Sequence, residues 1–210
     1  LEAYDTQPFR YGRHGTPTTA ALEEALTALD GGARTVLTPS GYQAVTTAIL
    51  AFVKAGDHIL MVDSVYQPTR AFCDKFLAHL GVSTTYYDPL IGAGIADLIQ
   101  DTTRLVFTES PGSLTFEMQD IDAIARAAHA RDAVVLMDNT WATGLYFRPL
   151  EHSVDVSINA CTKYIVGHAD AMLGAITAND RTQRAIETSR ALLGGCPGSE
   201  ETYLGLRGLR

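Results

Sequence analysis

The chain has 210 residues, 46% of them hydrophobic and 19% charged, with 24 acidic against 16 basic side chains and a net charge of −8. That is the makeup of a folded chain long enough to bury a real core, not of a disordered or fibrous one. The acidic balance without any basic cluster argues against a nucleic-acid surface or a polybasic membrane patch, and the longest apolar stretches, such as Ala133–Met137, fall far short of the roughly 18 residues a membrane span needs.

Along the chain, short β-branched or apolar runs alternate with helical patterns, the signature of a mostly parallel α/β sheet. Apolar residues at 21, 22, 25, 26 and 29 give a helical stripe over Thr18–Leu29. A strand follows at Thr35–Leu37, then a helix over Gly41–Val53 that the Lys54–Gly56 segment is expected to close. Next come a strand at His58–Val62, a helix at Tyr66–Leu80 closed by Gly81, and a strand at Ser83–Tyr87. Proline and glycines make Asp88–Gly94 a loop. Strands Arg104–Thr108 and Ala133–Asp138 flank a helix over Ile121–Ala130, for which Asp120 is the expected N-cap. Two more strands, Val154–Asn159 and Met172–Thr177, precede helices at Arg181–Leu193 and Glu200–Arg210. The runs near the middle are continuously apolar, as strands covered on both faces should be.

Three cysteines, Cys73, Cys161 and Cys196, form no CxxC pair, which fits a reducing compartment and a cytoplasmic protein. The chain starts at Leu1 and stops inside a helical pattern without a capping signal, so it is expected to be a fragment of a longer protein.

In open α/β sheets ligands bind beyond the carboxyl ends of the strands. No GxxxxGK[ST] or GxSxG motif is present, Gly92-Ala-Gly94 lacks the third glycine of a dinucleotide fingerprint, and the six histidines show no zinc-like spacing. Of the three lysines, Lys54 reads as a helix-end cation and Lys75 as a solvated mid-helix residue. Lys163 follows a strand among small and apolar neighbours in Ala160–His168. A desolvated amine there would be neutral and available for Schiff-base chemistry; the bland alternative is a lysine snorkelling from a strand end. Asp138 ends another strand and needs a cationic partner or a proton. A pyridinium N–H is such a partner, and lysine plus aspartate is the pairing that pyridoxal phosphate (PLP) requires, although Asp138 could instead cap a helix. Thr38-Pro-Ser-Gly41 opens a helix at Gly41 and Tyr42 whose first amides could take a phosphate, with the Thr162 hydroxyl beside them. Tyr66, after the strand His58–Val62, is placed either to stack on a flat ring or to staple the entry of its helix.

These residues resemble the Cys/Met-metabolism PLP enzymes of fold type I. The likeness runs through Tyr11–Pro17, Leu22–Gly32, Ala51–Met61, Asp88–Gly92, Glu109–Ser113, Met137–Trp141 and Asp155–Asp170. The DPLIG and ESPGS segments look more like the cystathionine β-lyase branch than the γ-lyase or γ-synthase branches. The resemblance implies a large domain with a seven-stranded, mostly parallel sheet sandwiched by helices, filling residues 1–210, the small C-terminal domain being absent. It implies that Lys163 joins the cofactor covalently and acts as base, that Asp138 faces the pyridine nitrogen, that Tyr66 stacks on the ring, and that Gly41, Tyr42 and Thr162 hold the phosphate. Tyr11 and Arg13 match residues that reach a neighbouring subunit's phosphate, Tyr11 and Tyr66 also serving catalysis. Residues 1–16 would then form an arm on that neighbour, in a dimer or a dimer of dimers. The implied reaction is α,β-elimination on cystathionine or a related thioether amino acid, giving a thiol, pyruvate and ammonia. A γ-lyase or γ-synthase, or a non-catalytic PLP-binding homologue, is the alternative. Three positions depart from the family pattern: Ala160, Ala169, and Ala191, where a substrate-side tyrosine is usual.

Overall fold

The computed structural model describes Phe9 and residues 11–210; the other residues of the expected N-terminal arm, 1–8 and 10, lie outside the described residues. Seven strands form one sheet: β1 (Arg34–Thr38), β2 (His58–Val62), β3 (Ser83–Tyr87), β4 (Thr103–Glu109), β5 (Val134–Asp138), β6 (Val156–Asn159) and β7 (Gly174–Ala178), in spatial order β1-β7-β6-β5-β4-β2-β3. β7 runs antiparallel to both its neighbours, and the other pairings are parallel. The helices are α1 (Pro17–Asp30), α2 (Gly41–Leu50), α3 (Gln67–Ala71), α4 (Ile121–His129), α5 (Thr143–Tyr146), α6 (Gln183–Leu192) and α7 (Ser199–Gly208).

Consecutive side chains point to opposite sides of the sheet, and every strand except the edge strand β3 buries residues on both faces. Val36 and Leu37 are neighbours in β1 yet belong to different cores. Val36 joins the large cluster with Val45 and Ile49 of α2 and Ile124 of α4; Leu37 joins a smaller one with Leu22 and Leu26 of α1 and Leu173. β2 is buried at every position, including His58, whose two ring nitrogens meet the hydroxyls of Thr103 and Thr85 at 2.8 and 2.9 Å.

Local chemistry sets the helix ends. Thr16 caps α1, Ser40 caps α2 by accepting from the Gln43 amide at 3.1 Å, and Asp120 caps α4 by accepting from the Ala123 amide at 3.0 Å. α2 stops at Leu50 rather than at Val53, so Lys54 is an exposed loop residue and not a helix-end cation. α3 continues as a π-helical stretch, Phe72–Leu77, and the expected loop at Asp88–Gly94 leads into a 3-10 turn over Gly92–Leu98. Cys73 and Cys161 are buried, Cys196 is half-buried, and all three are free thiols. Among the described residues no helix is long and apolar enough to cross a membrane.

Candidate functional site

The carboxyl ends of β1, β2, β4, β5 and β6 open on one cavity of about 1230 Å³. Its lining includes Ser40, Gly41 and Tyr42 at the start of α2, Tyr66 after β2, Glu109 ending β4, Asp138 and Thr140 at the end of β5, and Ala160, Thr162 and Lys163 after β6. Six of the residues expected at a cofactor site, Gly41, Tyr42, Tyr66, Asp138, Thr162 and Lys163, therefore share one wall system.

Close packing holds the start of α2 against the end of β6. A Cβ added to Gly41 would lie 2.4 Å from the Ala160 Cβ and 2.7 Å from its Cα, so α2 reaches the end of β6 only because residue 41 is glycine. Ala160 is itself fixed: its amide donates to Thr140 Oγ1 at 2.8 Å and its carbonyl accepts from the Lys163 amide at 3.0 Å. The first amides of α2 have no intrahelical partners and sit at the positive end of the helix dipole, an anion site by construction. The Thr162 hydroxyl is already engaged, donating to the Leu173 carbonyl at 3.1 Å and accepting from its amide at 3.0 Å. That bond ties the Lys163 turn to the start of β7.

Lys163 is exposed on the cavity wall, so the expectation of a desolvated amine does not hold in this chain. The turn puts the side chain in the open cavity mouth rather than among the apolar neighbours its sequence suggests. What marks Lys163 is the cavity it shares with Asp138.

Asp138 is half-buried. Desolvation raises its pKa, opposed by the hydroxyl and amide of Thr140, the amide donating to Oδ1 at 3.0 Å. It is an Asx turn at a strand end rather than a helix cap. Beside it stands Glu109, its direct partner in the β4–β5 register. Burial and then the Asp138 charge push the Glu109 carboxyl up to about 9, while the Tyr66 amide, which donates to Glu109 Oε2 at 2.8 Å, pulls it down.

The remaining expected residues stand apart. Tyr11 precedes, and Arg13 lies within, a 3-10 turn, Gly12–His14, against α6, where an Arg13 Nη donates to the Ala191 carbonyl at 3.2 Å. Neither lines the cavity. Ala191 is an exposed α6 residue and does not occupy the substrate-side position expected for it. His168 is exposed, its Nδ1 2.8 Å from the Val166 carbonyl, and Ala169 takes a left-handed φ of 56° on the cavity rim.

Sequence reasoning assigned no role to Glu109, Ser40, Thr140 or Trp141. All four were visible only as members of longer segments. Trp141, 53% exposed, packs between Phe116 and Tyr164 at the rim, with ring centroids 6.1 and 6.3 Å away.

The residues present fit PLP on their own chemistry: an amine and a carboxylate across one cavity, an aromatic ring after a neighbouring strand, and a helix start that glycine brings close to β6. Comparison with known proteins agrees. The Cys/Met metabolism PLP-dependent enzyme family matches residues 2–210. A putative cystathionine beta-lyase of Rhizobium johnstonii is 57% identical over 98% of this chain and 52% of its own length. Cystathionine beta-lyase MetC of Escherichia coli is 46% identical over 95% and 51%. An L-alanine/L-glutamate racemase of Wolbachia pipientis is 41% identical over 96% and 50%. Among solved structures, cystathionine gamma-lyase from Lactobacillus plantarum, complexed with L-serine, superposes with a TM-score of 0.93 at 30% identity, covering 97% of this chain and 54% of that one. The chain thus spans about half the length of the curated relatives it matches. A family match along nearly the whole sequence, with a cavity whose residues fit PLP, leads to one conclusion: this chain belongs to the Cys/Met metabolism PLP-dependent enzymes.

Proposed function

We propose that this chain carries the cofactor site of a carbon–sulfur lyase that cleaves cystathionine or a related thioether amino acid by α,β-elimination, releasing a thiol, pyruvate and ammonia. The observation that carries the reading is the single cavity faced by both Lys163 and Asp138, from the ends of adjacent strands. The names of the most similar relatives favour the β-lyase reaction.

When bound, PLP supplies the electron sink for charge left on the substrate's α-carbon. Lys163 would hold the cofactor through Nζ, and the same nitrogen, when free, would serve as the base that takes the substrate's α-proton. Asp138 offers its carboxylate to the pyridine N–H, Tyr66 presents a ring face, and the Gly41 and Tyr42 amides bind the phosphate with Thr162 beside them. Trp141 and Tyr164, with ring centroids 6.3 Å apart, line the cavity and offer it apolar surface.

The chain works as part of a self-association in this reading. Tyr11 and Arg13 do not line their own cavity, which suits residues that serve a neighbour, and Leu145 and Tyr146 of α5 are large exposed side chains. A homotetramer is the form we propose. The three free thiols favour the cytoplasm.

The test is the keto acid. Protein supplied with PLP and L-cystathionine should yield pyruvate and homocysteine. 2-Oxobutyrate with cysteine would replace this reading by γ-elimination, which the fold match to a γ-lyase makes the nearest rival. Racemisation without any keto acid would replace it by the activity named for the Wolbachia relative.

A further inference from the structure

We propose that Glu109 is a positioning residue of the cofactor site: it fastens Tyr66 through the main chain, and it carries the proton that leaves Asp138 the one negative charge of their pair. The inference rests on the PLP reading given above and deepens it.

The ring of Tyr66 is 49% exposed, so side-chain packing does not fix where it stands. The main chain does. The Tyr66 carbonyl accepts from the Thr69 and Arg70 amides at 2.9 and 3.2 Å as α3 begins, and its amide, which precedes the helix, is held by Glu109 Oε2 at 2.8 Å. Without Glu109 that donor would lose its partner and the entry to α3 would be free to swing.

Glu109 is in turn braced from behind. Its amide donates to Gln119 Oε1 at 3.0 Å, Gln119 Nε2 donates to the Tyr87 hydroxyl at 3.1 Å, and that hydroxyl donates to the Phe107 carbonyl at 2.9 Å. Tyr87 and Gln119 are buried. The carboxyl thus hangs from a rigid, dry support while facing the cavity.

Glu109 and Asp138 are also register partners on adjacent parallel strands, which places their main chains about 4.8 Å apart. Two carboxylates so placed, both partly out of water, do not ionise together. Thr140 stabilises Asp138 as the anion, as the pyridinium of a bound cofactor would; Glu109 has a main-chain amide on one oxygen, leaving the other for the proton. Its strongly raised pKa agrees with this division.

The test compares three variants by PLP affinity, from quenching of intrinsic fluorescence, and by the visible band of bound cofactor. Glu109→Ala removes the acceptor and should weaken PLP binding by about tenfold or more. Glu109→Asp, one methylene short of Tyr66, should do the same. Glu109→Gln keeps a carbonyl for the Tyr66 amide and mimics the neutral acid, so it should restore affinity to within about threefold of the parent. A second readout is the infrared difference between the parent and Glu109→Gln at pH 7, which should contain a protonated-carboxyl stretch that vanishes as the pH passes about 9. Circular dichroism of each variant checks folding; if Glu109→Ala does not fold, the Asp and Gln pair decides.

Parent-like binding by Glu109→Ala or Glu109→Asp would overturn the anchoring role. A loss in Glu109→Gln as large as in Glu109→Ala, or absence of the protonated stretch, would overturn the neutral acid. A parent protein that takes up no PLP would sink the cofactor reading itself, which keeps the two failures distinct.

Discussion

Gly41→Ala is a single methyl at a position where the backbone would tolerate any residue, since Gly41 does not take a left-handed φ. Conformational entropy alone would make the change favourable by roughly 0.4–1 kcal/mol. Space decides otherwise. The new Cβ would lie 2.4 Å from the Ala160 Cβ and 2.7 Å from its Cα, against an optimal carbon separation of about 3.5–4.0 Å, so the start of α2 and the end of β6 must part by about 1 Å. Ala160 cannot simply retreat, because its amide and carbonyl are bonded to Thr140 and Lys163. Overpacking of this kind costs about 1–3 kcal/mol, which outweighs the entropic gain and leaves a net loss of up to roughly 2.5 kcal/mol. For a domain of this size each kcal/mol is about 2–4 °C in Tm. The same displacement moves the first amides of α2, proposed to bind the phosphate, relative to Lys163, so PLP affinity should fall by about tenfold or more. Urea melting of the cofactor-free protein and fluorescence titration with PLP measure the two effects separately. A variant as stable as the parent, with unchanged PLP affinity, would refute the close-packing argument.

Asp155 is a buried carboxylate that accepts from the Val135 amide, Asn179, His129 and Arg181 at 2.8–2.9 Å. Asp155→Ala strands a buried amide and should lower stability by about 2–4 kcal/mol, discounting the half-exposed Arg181; a melting shift under about 2 °C would contradict this. Glu109 gives its proton a pH signature. Its folded pKa of about 9 lies above the ordinary 4.5, so the stability its proton contributes is complete below about pH 4.5 and is lost as pH rises toward 9, by at most ~1.4 kcal/mol per pH unit. Glu109→Gln escapes that loss, so its stability relative to the parent should climb across this window, and a flat difference would count against the neutral acid.

Much of this architecture is legible in the residues themselves. All seven strands fall within a few residues of their expected positions; the central ones, covered on both faces, leave continuous β-branched and aliphatic stretches, while the edge strand β3 shows as a β-branched and aromatic run. The amine, the carboxylate, the aromatic ring and the glycine helix start could each be placed after a strand, and the sheet topology then brings them to one cavity. Short elements escape: α5 and the 3-10 turn at Pro149–His152 have four residues each, too few to show a period. The antiparallel sense of β7 leaves no trace in composition. Lys163 was expected in a dry setting because its neighbours are small and apolar, but Ile165 and Val166 turn into the α1 core while the lysine turns out. Glu109 was invisible as a functional residue because its partner Asp138 is 29 positions away, and only strand register sets them side by side.

The central claim is that Lys163 is the amine to which PLP is joined, and it can be tested without any assay of turnover. Protein incubated with PLP is reduced with borohydride, digested, and searched by mass spectrometry for a pyridoxyl-phosphate adduct. The adduct is expected on the peptide containing Lys163, with loss of the visible cofactor band in Lys163→Ala. An adduct confined to Lys54 or Lys75, or a Lys163→Ala protein that keeps the band, would contradict it.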